Sequence, residues 1–122
     1  MPGPRLIQGF LTGGTTTAPN AGQVLAVMCV AEPAMIRTVI VATDGASNAA
    51  TVFDLLKNGV SVWASAAQRP QIASGSPKMV LARLPDKRAL QPGDLLRLVV
   101  VSSGNNVGVA ATAVLEYPES QP

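Results

Sequence analysis

"TVFDLLKNGVSVWASA", residues 51–66, decides how the rest of the chain is read. Two apolar-rich runs flank Asn58-Gly59, a dipeptide that tolerates positive φ at both positions and suits a type I′ hairpin turn. Side chains alternate along a strand with a period of two, so the turn fixes which of them share a face. Lys57 pairs with Val60, Leu55 with Val62, and Phe53 with Ala64. Phe53, Leu55, Val60 and Val62 then occupy one side, expected to be the core. Asp54, Leu56, Ser61, Trp63 and Ser65 occupy the other, where Leu56 and Trp63 require a cover other than water.

The pattern extends in both directions. Short runs rich in Val, Ile, Leu and Thr recur between clusters of Gly, Pro, Asn and Asp, as in all-β sandwiches and barrels. Eight strands are expected, over residues 5–12, 23–31, 35–43, 50–57, 60–66, 78–84, 94–102 and 107–117. "LQPGD" (90–94) carries the Pro-Gly order of a type II turn. "TDGASNA" (43–49) and "SSGNNVG" (102–108) read as longer turns. The expected fold is all-β, a single antiparallel β-sandwich of about eight strands. Residues 1–22 are expected to form an extended arm and loop, 23–117 the sandwich, and 118–122 a flexible tail.

The later strands repeat the hairpin's division. With Leu96, Leu98 and Val100 inward, Arg97, Val99 and Val101 face out. With Ala111, Ala113 and Leu115 inward, Thr112, Val114 and Glu116 face out. Charged residues make up only 13% of the 122-residue chain, against about 25% in a typical soluble domain. A lone domain of this size needs more charge to cover itself, so protein is expected to cover part of this surface. Leu56, Trp63, Val99, Val101 and Val114 are the expected subunit interface, with Trp63 as its anchor. The competing expectation is that Trp63 lies under a loop of its own chain, such as residues 11–22.

Chemistry finds little to work with. The chain has no histidine, which removes Ser-His-Asp and Cys-His arrangements and most catalytic zinc designs. Asp54 reads as a solvated strand position and Asp94 as a turn cap. "TDGASNAAT" is a weak match to a calcium loop, and no glycine pair precedes a helix as a phosphate cradle requires. No catalytic residue, metal or cofactor is expected. A net charge of +2 with scattered basic residues argues against nucleic acid. Residues 24–42 are broken by Glu32, Pro33 and Arg37, which argues against a membrane span. The single cysteine, Cys29, lies in "VLAVMCVA" and is expected to be buried and inert. "MPGPRLIQGFLTGG" has no signal-peptide pattern, so the chain is expected to be made in the cytoplasm and soluble.

The order "VIVATDGASNAATVFDLLKNGVSVW", "RPQIASGS" and "LQPGDLLRLVV" resembles a β-sandwich module of tailed-bacteriophage virion proteins. The matching residues are Phe53-Asp54-Leu55, Lys57-Asn58-Gly59, Arg69-Pro70, Ile72, Gly75 and Gly93-Asp94, within about residues 36–116. The family usually has polar residues where this chain has Leu56 and Val99. The resemblance implies a jelly-roll-like fold and a non-enzymatic role as a capsid decoration, or cement, protein on the outer surface of the virion. The expected assembly on this reading is a homo-oligomer, a homotrimer, with the major capsid protein as partner. Arg5, Leu6, Ile7 and Phe10 would then be the capsid-contact residues of an arm that orders on binding. The alternative it leaves open is a tail-associated or fibre-base protein that recognises a glycan.

Overall fold

In the computed structural model, residues 6–75, 79–103 and 107–118 are described. The strands are β1 (Leu6–Thr15), β2 (Val24–Cys29), β3 (Ala34–Thr43), β4 (Thr51–Lys57), β5 (Val60–Ser61), β6 (Gln71–Ile72), β7 (Met79–Leu81), β8 (Ala89–Leu90), β9 (Leu95–Ser102) and β10 (Val109–Pro118). They form two antiparallel five-stranded sheets. Sheet A runs β1-β10-β3-β7, with β8 also on β3; sheet B runs β2-β9-β4-β5, with β6 also on β4. The two-residue β6 and β8 are the additions to the eight strands expected. Without them the sheets read 1-8-3-6 and 2-7-4-5, the two-Greek-key connectivity of a jelly roll.

The hairpin forms as its residues dictate. Asn58 and Gly59 take φ of 53° and 83°, and β4 pairs with β5 through Lys57↔Val60 and Leu56↔Ser61. The Val62 amide donates to the Leu55 carbonyl at 3.0 Å. Phe53, Leu55 and Val62 are buried as expected, but Val60, next to the turn, is 55% exposed. The alternation in β9 and β10 also places Leu96, Leu98, Val100, Ala111, Ala113 and Leu115 in the core. Burying such a side chain contributes roughly 1.5–3 kcal/mol, so this inner layer dominates stability.

Two expected strands break early. The fifth ends at Ser61, after which the chain bends through one 3₁₀ turn, Ala66–Gln68, and returns to the same edge of β4 as β6. The sixth ends at Leu81, and the segment that follows leaves sheet A to run along Val62–Ala64.

The expected boundary at residue 22 does not separate an arm from the sandwich. All ten residues of β1 are in register with β10, from Leu6↔Pro118 to Thr15↔Val109. Gly13 lies so close to β2 that a Cβ there would sit 2.2 Å from the Leu25 carbonyl oxygen. That contact ties the outermost strands of the two sheets together, so β1 is integral to the fold. Arg5 and residues 119–122 lie outside the described residues.

Candidate functional site: the outer faces of the sandwich

Asp44, Asp54, Asp86, Asp94 and Glu116 are engaged in holding the fold. Asp54 is not a solvated strand position: it is 3% exposed beneath the chain's own excursion between β5 and β6. Its Oδ1 accepts the Leu55 N–H at 2.8 Å and the Ser61 hydroxyl at 2.7 Å. Its Oδ2 lies 3.0 Å from Nε of Arg69. Both oxygens therefore have partners within the fold.

Asp94 caps its turn as expected. It accepts the Gln91 N–H and the Asn58 side-chain amide, at 2.8 and 2.9 Å. The Gln91 bond foremost, then the Asn58 bond, hold its carboxyl below the usual carboxylate range, aided by the charge of Lys57. In the weak calcium-loop match, Asp44 accepts the Gly108 N–H at 2.8 Å and Ser47 donates to the Ala49 carbonyl at 2.7 Å. These are turn contacts. Among the described residues no three His, Cys, Asp or Glu side chains converge as metal ligands. Two shallow depressions of about 280 and 410 Å³ share Met35 and Glu116, and the Glu116 carboxylate is paired with Arg37 at 2.9 Å.

The outer faces are the remaining features with functional potential, and the structure places four of the five expected interface residues on them. Trp63 belongs to neither face. It is 3% exposed, and its Nε1 donates to the Arg83 carbonyl at 2.8 Å. On either side, the Ala64 N–H reaches Asp86 and the Lys87 N–H reaches the Val62 carbonyl. The segment after β7 is the cover, rather than residues 11–22. Trp63 is therefore a core residue of this chain.

Leu56, Val99 and Val101 lie on the outer face of sheet B. Its cross-strand rows read Val27–Arg97–Leu56–Ser61 and Val24–Val99–Asp54. Leu56 and Val99 are half-buried and Val101 is 37% exposed. Cys29 is exposed at the end of β2 rather than buried. β2 is the outermost strand of its sheet, and the irregularity between Val24 and Ala26 shifts which of its residues turn outward.

Val114 lies on the opposite side of the molecule, on the outer face of sheet A. One row there reads Phe10–Val114–Thr38. The next is Thr12–Thr112–Ile40–Leu81, and a third Gly14–Ala110–Ala42–Met79. None of these eleven residues is charged. Phe10, Leu81 and Met79 are its well-exposed large apolar side chains, at 60%, 66% and 71%. Phe10, expected in an arm, is thus a sheet residue, and Leu6 and Ile7 are in the same strand. Ile40, Met79 and Leu81 escaped the sequence reading. For Ile40 the signal was present in the period-two alternation of β3, where buried Val39 and Val41 leave it facing outward.

No family model matches this chain, and no curated protein sequence matches it. Among solved structures it is similar to a chain in the capsid of Ralstonia phage GP4, with a TM-score of 0.53 and 15% identity. The match covers 93% of this chain and 86% of that one. At that identity the likeness is one of fold, and it extends over nearly the whole sandwich.

Proposed function

We propose that this chain is a non-enzymatic structural protein of a phage virion, a decoration protein that binds the outer surface of the assembled head. The observation that carries this reading is the likeness in fold to a phage capsid chain over 93% of the sequence. The sequence-level resemblance of residues 36–116 to virion modules points the same way. The engaged carboxylates of Asp54 and Asp94 support a structural role over a hydrolytic one.

The mechanism is passive. Each copy buries surface that only the closed lattice offers, so binding stabilises the assembled state by mass action. A stable contact of this kind removes roughly 1,200–2,000 Å² from water, and repetition over the shell adds avidity. The major capsid protein is the partner in this reading.

Sedimentation of the purified chain with empty, expanded heads tests it. Saturable co-sedimentation with heads, and none with host cells or glycan-coated beads, is the expected result. Binding to cells or glycans without binding to heads would replace it with the tail-associated reading.

A further inference from the structure

We infer that the outer face of sheet A is a self-association surface, on which two copies of this chain pack face to face about a two-fold axis. The inference does not depend on the virion reading, since it concerns the purified chain alone.

Three observations assign the occupant. First, the face is free of charge from Phe10 across to Met79 and Leu81. Arg37 and Glu116 pair with each other at one margin at 2.9 Å, and beyond the other end of β3 Asp44 accepts the Gly108 N–H. Two such faces can meet without opposing like charges. Second, hydroxyls at its centre are already partnered: Thr12 and Thr112 lie 2.9 Å apart, and Thr12 also donates to the Ala111 carbonyl. Burying them leaves less unmet hydrogen bonding than isolated hydroxyls would.

Third, the dimensions suit a pair of copies. Eleven outward residues, each taking about 4.8 Å across the strands and about 6.8 Å along them, give a flat footprint of about 360 Å² per copy. Counting both copies and the relief of their side chains, this approaches the lower end of stable interfaces, about 1,000 Å². Sheets stack face to face at about 10 Å, so such a contact follows ordinary sandwich packing.

One continuous patch that is compatible with itself makes an isologous contact and closes at two copies. A trimer needs two different patches that fit each other. The outer face of sheet B is less suited to self-pairing, because Arg97 sits between Val27 and Leu56. The excursion that covers Asp54 also interrupts it.

Analytical ultracentrifugation of the full chain over a concentration series tests the inference. A species of twice the 12.5 kDa chain mass is expected. Phe10→Lys and Leu81→Lys should each weaken it by at least about tenfold, because each places two charges in the two-fold contact. Both side chains are well exposed, so the fold should persist by circular dichroism. Val101→Lys, on sheet B, should leave the dimer intact.

In the unmodified chain, methyl resonances of Ile40, Met79, Leu81 and Val114 should shift with concentration while those of Val24 and Val27 stay fixed. A monomer at all concentrations, a trimer mass, or a dimer indifferent to both lysines would overturn the inference. So would concentration-dependent shifts confined to Val24 and Val27.

Discussion

The side chain of Asn58 bridges two turns that lie 36 positions apart: its amide donates to Asp94 Oδ1, and its carbonyl oxygen accepts the Leu95 N–H, both at 2.9 Å. The Asn58 backbone N–H also donates to the Leu95 carbonyl, at 2.8 Å. One residue thus meets two demands, since it must also adopt a φ of 53°. Substitution can separate them. Asn58→Gly keeps the backbone conformation and loses the bridge. Asn58→Ala loses both, and should be the less stable of the two by about 1 kcal/mol. Urea unfolding of the pair measures the difference, and equal midpoints would mean that the turn carries no strain.

Asp94 should make stability depend on acid. Its carboxyl is held below the ordinary value of 3.8, chiefly by the Gln91 N–H and then by Asn58. A depressed folded-state pKa favours the ionised form in the folded chain. The resulting stabilisation is complete above the unfolded-state value and is lost as pH falls through the lower, folded one. Urea midpoints should therefore decline from about pH 4 downward, and Asp94→Asn should remove part of that slope. An unchanged slope would place the acid sensitivity elsewhere.

Breaking the Asp54–Arg69 pair should destabilise the chain without affecting any chemistry. Asp54→Ala leaves the Leu55 N–H, the Ser61 hydroxyl and the Arg69 guanidinium without their acceptor. The expected loss is about 2–3 kcal/mol, moderated because Arg69 reaches partly into solvent. Asp54→Asn retains an acceptor oxygen and should cost less. A denaturant series on both variants checks the order.

Trp63→Ser should melt the protein earlier and leave its association unchanged. The ring is enclosed by the chain's own segment after β7, and its loss from a core costs about 3–5 kcal/mol. Calorimetry and sedimentation on the same sample separate the two effects. Loss of association with an unaltered melting temperature would return Trp63 to an interface.

What the sequence made legible is what local rules determine. Asn58-Gly59 set the hairpin register, and the period of two separated Leu96, Leu98 and Val100 from Arg97, Val99 and Val101. Those rules assign a side chain to the inside or the outside. They do not say which sheet a strand joins. In a jelly roll, β9 and β10 are consecutive yet belong to opposite sheets. Val99 and Val114, both outward, therefore lie on opposite sides of the molecule.

The cover over Trp63 depends on residues 83–87, about twenty positions away, and no local pattern announces it. The motif residues Asp54 and Arg69, and likewise Asn58 and Asp94, prove to be partners across turns. Part of the resemblance to virion modules thus lies in residues that hold the fold.

The most direct measurement is an electron-microscopy reconstruction of intact particles that contain this chain. The account predicts ten-stranded sandwich density at regularly repeated sites on the outer head surface, in contact with the major capsid protein. Sandwich density confined to the tail, or a fully occupied head surface without it, would contradict the account.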